Sequence, residues 1–181
     1  MTQNPNSQRY TGVAIAAHWL LALLIIGNVV LGAYMSDLPL TPMRLKLFNW
    51  HKWAGVTILA LSALRLLWRL THRPPADLPM PGWQSRAAHA AHIALYVLFF
   101  AVPLAGWAYS SAAGFPIVWF GVLPLPDFVA PDRALSEAIK PLHGALAFAL
   151  AGVVLLHVAG ALKHHLIDRD GLLQRMLPGR R

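Results

Sequence analysis

Four stretches of this chain are each long and apolar enough to cross a lipid bilayer, and nothing else in the sequence constrains the fold as strongly. A crossing helix needs about 20 mostly apolar residues to span roughly 30 Å of hydrocarbon. The stretches cover about 13–35 (VAIAAHWLLALLIIGNVVLGAYM), about 50–70 (WHKWAGVTILALSALRLLWRL), about 88–111 and about 138–165. Inside hydrocarbon every backbone N–H and C=O must be satisfied locally, so each stretch must be a helix. The expected fold is therefore all-α: an integral membrane four-helix bundle, formed as a single membrane domain over residues 1–181. Composition agrees. The chain is 57% hydrophobic and 12% charged, against about 45–50% and about 25% in soluble domains. That excludes a disordered chain and argues against an ordinary water-soluble one. The chain has no cysteine, which removes disulfides, zinc–thiolate sites, iron–sulfur clusters and thiol catalysis.

The first stretch is too long for the apolar core of a signal peptide and no small-x-small cleavage site follows it, so it reads as a retained helix. Four crossings put both termini on one side, together with the connection between the second and third spans. Ten of the fifteen Lys/Arg fall on that side: Arg9, Arg65, Arg69, Arg73, Arg86, Lys163, Arg169, Arg175, Arg180 and Arg181. Arg44, Lys46, Lys52, Arg133 and Lys140 fall on the other. The excess of positive charge predicts that both termini are cytoplasmic. The net charge of +8 is thus spread over span ends, where it suits a lipid bilayer rather than nucleic acid. Trp50, Trp53, Trp68, Trp83, Trp107 and Trp119 fall near span ends, as interfacial anchors do. In the long outer loop, Gly114–Pro126 (GFPIVWFGVLPLP) is apolar, and is expected to lie on the membrane surface or cap the bundle.

Eight of nine histidines fall in or at the end of a span; His72 is the exception. Ionisable groups within a membrane are costly and usually face the bundle interior. Sorted by depth, His51 and His143 form an outer pair at the starts of the second and fourth spans. His18 and His157 form an inner pair on the first and fourth. His143 and His157 are 14 residues apart, which leaves them within about 40° on one helix face and about 21 Å apart along it. One helix can thus serve two cofactors stacked across the bilayer. A zinc or di-iron site of bundle type asks for more ligands, often carboxylates, and no Asp or Glu lies within a span. Two histidines per site, apolar walls and small residues such as Gly55, Gly144 and Gly152 suit two haem b groups. His89 and His92 read as interfacial, and His165 as solvent-facing. His164 lies seven residues beyond His157, nearly on its face, at the inner interface.

The segments Ala17-His18-Trp19-Leu20, Trp50-His51-Lys52, Ala88-His89-Ala90-Ala91-His92, Leu98-Phe99-Phe100-Ala101-Val102-Pro103, Pro141-Leu142-His143-Gly144, Leu156-His157 and Lys163-His164-His165 follow one another along the spans, closing with Leu173-Gln174-Arg175-Met176-Leu177-Pro178. In these residues, from about Tyr10 to Pro178, the chain resembles the bacterial di-haem cytochrome b561 family, and within it the superoxide-oxidising sub-group. The resemblance implies haem ligation, with iron as the metal, by His18 with His157 and by His51 with His143. It also implies a quinone site at the cytoplasmic end that includes His164, and a place in the bacterial inner membrane.

On that reading, electrons pass from periplasmic superoxide to ubiquinone. Iron with two protein ligands keeps no open position, so it exchanges electrons without binding dioxygen. Arg44, Lys52 and Lys140, with Lys46, lie near His51 and His143 in sequence and can steer an anion. His164 can hydrogen-bond a quinone carbonyl and relay a proton, with Asp168 and Asp170 as proton entries. Arg73 and Arg86 are placed to meet haem propionates or lipid phosphates. Two other readings compete. One is an electron-transfer subunit fed by a periplasmic redox partner protein. The other is a histidine-lined transporter, which would need acidic residues within spans and further helices.

Overall fold

The computed structural model describes residues 9–179; Arg180 and Arg181, counted above on the positive side, lie outside the described residues. Four long helices make up the protein: α1 (Gly12–Ser36), α2 (Pro42–Thr71), α3 (Gly82–Ala112) and α4 (Arg133–Lys163). All four are long and apolar enough to span a membrane. Three start on side-chain caps that satisfy free N–H groups of the first turn. Thr11 accepts from the Ala14 N–H, Thr41 from Arg44 N–H and Asp132 from Leu135 N–H. Pro42 adds a preset φ at the start of α2.

These caps lie outside the apolar stretches, so the helices begin earlier than hydropathy alone indicates. α2 starts at Pro42 rather than about 50, α3 at Gly82 rather than about 88, and α4 at Arg133 rather than about 138. His51 and His143 therefore sit well inside their helices instead of at their starts.

α1 runs beside α2, α2 beside α3 and α3 beside α4, while α1 and α4 approach only sparsely. Leu21, Ile25, Ile58, Leu95, Phe99 and Leu150 form a thin core between them. Only 6–17% of each apolar window is buried in the protein. The remaining surface, including Leu23, Phe148, Leu155 and Leu156, requires lipid around it.

The two ends of the bundle differ. The terminal end holds both described chain ends. After α4 the chain makes one π turn (His164–Asp168) and a short 3-10 helix (Leu173–Met176), then folds back. Trp19 Nε1 donates to the Met176 carbonyl (2.7 Å), and Arg9 donates to that of Leu177 (2.6 Å). The far end holds the α1–α2 turn and the α3–α4 loop. That loop contains a two-residue antiparallel pair, β1 (Val118–Trp119) with β2 (Leu123–Pro124). Its turn puts Phe120 at φ 51° and Gly121 at φ 73°, the two positive values that a type I′ turn requires. A phenylalanine in that region is strained. It is held there by Trp53 and Trp119, whose ring centres lie 5.6 and 4.9 Å away. Trp53 Nε1 also donates to the Val118 carbonyl (2.6 Å). The loop thus caps the far end by clasping α2, while Phe120 and Val122 stay exposed at its tip.

Candidate functional site

At the far end, His51 of α2 and His143 of α4 meet across the bundle with ring centres 6.1 Å apart. Each ring lies against a glycine of a neighbouring helix. A Cβ on Gly32 of α1 would fall 2.9 Å from His51 Cε1, and a Cβ on Gly106 of α3 would fall 2.9 Å from His143 Cε1. Each contact also has a polar half one helical turn away. His143 Nδ1 donates to the Val102 carbonyl (3.1 Å), four residues before Gly106. That fixes the tautomer and leaves Nε2 as the nitrogen with a free lone pair. His51 Nδ1 faces the backbone of Asn28, four residues before Gly32, without a well-formed hydrogen bond.

At the terminal end the structure gathers three histidines. His18 of α1 and His92 of α3 flank His157 of α4, with ring-centre separations of 6.1 and 5.4 Å. Arg65 Nη2 lies 3.1 Å from His18 Nδ1. Two imidazoles bonded to opposite sides of one metal ion at about 2.0–2.1 Å each have ring centres about 6 Å apart. The spacing at both ends suits such a shared ion, and among the described residues the carboxylates that cluster with a histidine are Asp168 and Asp170 at His164, not at either of these groups. A haem asks of the protein two histidines and apolar walls; the residues present fit that demand, and His51 with His143 and His157 with His18 or His92 would hold it.

His164 follows directly on the end of α4, half-buried. Its Nδ1 donates to Asp170 (2.5 Å) and lies 3.2 Å from Asp168, which in turn pairs with Lys163 (2.6 Å). The π turn that carries it is a form found frequently at functional sites. The Leu172 N–H also donates to Asp170 (2.9 Å). Although partial burial works the other way, these donors hold the Asp170 carboxyl below its ordinary range. His89 and His165 are exposed.

Three cations of the far end, Lys52, Arg44 and Lys46, have partners. Lys52 Nζ reaches Ser110 Oγ (3.4 Å) and the carbonyls of Phe115 (3.4 Å) and Pro116 (3.5 Å), beneath the capping loop. Arg44 donates to the Ser36 carbonyl (3.1 Å) and lies over the Phe48 ring. Lys46 lies over Trp50, and Lys140 is exposed on the first turns of α4.

Residues 9–179 match the family described as prokaryotic cytochrome b561. The chain belongs to that family. It is 37% identical over 172 residues to cytochrome b561 homolog 2 of Escherichia coli K12, covering 94% of this chain and 92% of the relative. It is 30% identical over 177 residues to cytochrome b561 homolog 1 of the same organism, covering 96% and 99%. It is also 30% identical over 178 residues to a protein of Yersinia pestis named probable superoxide oxidase CybB, covering 96% and 98%. Membership makes this a multi-pass bacterial membrane protein of electron transfer that carries haem b.

Sequence reasoning misses several residues of this site. Hydropathy starts α3 too late and so makes His92 interfacial; counted from Gly82 it lies ten residues into the helix. Gly32 and Gly106 carry no signal of their own, and Gly144 and Gly152, singled out for their size, would meet nothing within 4 Å if each bore a Cβ. Arg65 registers in the sequence only as a charge.

Proposed function

We propose that this protein takes electrons from superoxide at the far end, facing the periplasm, and delivers them to a quinone at the terminal end, facing the cytoplasm of the inner membrane. His51 with His143, and His18 with His157, would each hold one haem b. The observation that carries this reading is the placement of two histidine groups at opposite ends of one bundle, each with a ring-centre spacing of 6.1 Å. When bound, the two haems accept and pass on single electrons.

The chain's own residues do the rest. Two superoxide ions lose one electron each and leave as dioxygen. One quinone gains those two electrons and two protons and leaves as quinol. Lys52 adjoins His51 in sequence and holds its ammonium group under the loop, where a fixed positive charge favours approach of a small anion. Arg44, Lys46 and Lys140 add to the field at the rim. At the other end, His164 donates through Nδ1 to Asp170; in its doubly protonated form, beside the Asp168 and Asp170 carboxylates, it also carries an Nε2 proton to give to a quinone carbonyl, and the Asp168–Asp170 side leads to water. The positive-inside excess supports this orientation. The name of the Yersinia pestis relative, probable superoxide oxidase CybB, supports superoxide as the substrate.

A second reading has its own support. The relative at 37% identity is named without a substrate, and the far-end hairpin exposes Phe120 and Val122, which suits docking by a periplasmic redox protein. One experiment separates the two. The oxidised protein is mixed rapidly with superoxide, and its visible spectrum is followed at low and high salt. Fast haem reduction that slows as salt rises supports superoxide as donor. Slow reduction at every salt concentration favours the subunit reading, and absence of a b-type spectrum overturns both.

A further inference from the structure

A cavity of about 850 Å³ opens at the terminal end, between the start of α1, the end of α2 and the connection that follows it. Arg9, Arg65, Arg69, Arg73 and Arg175 line it, and among the described residues Asp77 is its one carboxylate. Three of these arginines are spaced by four residues along the end of α2 and just beyond it, an arrangement in which like charges repel. Two others are fixed by the backbone. Arg175 Nη1 donates to the Ala76 carbonyl (2.8 Å), and Arg9 Nη2 to that of Leu177 (2.6 Å). Among the described residues none of the five forms an ion pair. Arg65 also meets His18 (3.1 Å) and Arg69 lies over the Tyr96 ring, but the combined charge of five arginines lining one space calls for an anion, and the planar fork of arginine matches a phosphate with two parallel hydrogen bonds.

The depth of the cavity narrows the choice. Tyr10 and Trp68 share its lining, and aromatic residues of this kind mark the head-group layer. Trp68 is set there by its Nε1 bond to Thr11 (3.1 Å) and by stacking on His72 at 3.7 Å. α2 ends at Thr71, so Arg69 and Arg73 lie at the helix end, where a lipid phosphate sits. The volume suits a head group rather than a single small ion. A neutral quinone ring would leave the charge unanswered. We propose that this arginine-lined cavity binds the phosphate of an anionic membrane lipid. Arg65 closes the deep side and Arg73 the exposed rim. Basic pockets between helices on the cytoplasmic side are a recognised form of lipid site, and the assignment stands apart from the superoxide reading.

The test uses the whole haem-loaded protein in mild detergent, stripped of lipid and followed by native mass spectrometry. Phosphatidylglycerol, phosphatidylcholine and inorganic phosphate are the probes. The expected result is one tightly held phosphatidylglycerol and no retained phosphatidylcholine. Arg73→Gln should weaken retention about tenfold, and Arg69→Gln with Arg73→Gln about a hundredfold, as loss of charge-assisted hydrogen bonds does. With phosphatidylglycerol in excess, the haem-to-protein ratio and visible spectrum of Arg73→Gln should match those of the unsubstituted protein, which also shows that the variant is folded. Equal retention of both lipids overturns the proposal. Arginine-dependent binding of inorganic phosphate without retention of lipid also overturns it, in favour of a soluble ligand. Loss of one haem in Arg73→Gln with lipid still held assigns the cavity to haem carboxylates instead.

Discussion

Replacing Gly106 or Gly32 by alanine sets two effects against each other, and their balance tests the proposed far-end site directly. Inside a helix the change from glycine to alanine ordinarily stabilises by about 1 kcal/mol. Here the added Cβ would stand 2.9 Å from Cε1 of His143 or His51. Ordinary contact begins near 3.4 Å, so the ring or the helix must give by about 0.5 Å, and such overpacking costs about 1–3 kcal/mol. The net effect on folding is then about 0–2 kcal/mol, too small to unfold the bundle. The effect on ligation is larger, because metal–ligand distances hold to about 0.2 Å and the histidine is displaced by more than that. Both variants should keep their helical circular dichroism and the terminal-end haem, and lose most of the far-end haem. Gly27→Ala is the control: it lies on α1, is exposed, and would meet nothing within 4 Å. The assay is the extracted haem-to-protein ratio with reduced-minus-oxidised spectra. Two full haems with unchanged spectra in both Gly32→Ala and Gly106→Ala would refute the assignment of these glycines as seats for ligands.

Other outcomes follow from the terminal end. His18→Ala should remove one spectral component while His92→Ala retains both; the reverse would make His92 the partner of His157. His164→Ala should keep both haems and slow quinone reduction at least tenfold, and unchanged quinone kinetics would remove His164 from that site. The Asp170 carboxyl is held below its ordinary value of 3.8, so its contribution to docking the segment after α4 is present above that pH. It is lost as pH falls through the lowered value. Protection of the Leu172 amide, corrected for its intrinsic exchange rate, should therefore persist at pH 5 and vanish only in stronger acid.

The four helices were legible because a bilayer leaves a backbone no other solution. Their starts were less legible. The first turns of α2 and α4 carry Arg44, Lys46, Arg133 and Glu137, which hydropathy counts as loop. The caps Thr41–Pro42 and Asp132 mark the true starts. His143 and His157 could be placed on one face from spacing alone, because helical phase is a local property. What phase cannot give is the surface a side chain lands on. Thirteen glycines occur in the chain, and only the assembled bundle distinguishes Gly32 and Gly106 from Gly27. In the same way, Lys52 reads as a rim charge in sequence and proves to be tied to the carbonyls of a loop more than 60 residues away.

The two ends of the bundle hold their imidazoles by different means, and the difference matches what each would have to do. At the far end, His143 lies against a bare glycine backbone and gives its Nδ1 proton to a carbonyl, so the ring cannot shift without a clash or a lost bond. That rigidity suits an exchange of single electrons with no proton to move. At the terminal end, His18 Nδ1 faces Arg65, which can only donate, so the proton of His18 sits on Nε2 in this arrangement. Ligation through Nε2 requires that proton to move to Nδ1 and Arg65 to release the ring. Arg65 also lines the arginine cavity, where an anion offers it another partner. Loading of the terminal-end histidines and binding of an anion in the cavity would then favour one another through a single side chain. A positive coupling between lipid retention and haem retention, abolished in Arg65→Met, is the consequence of that arrangement.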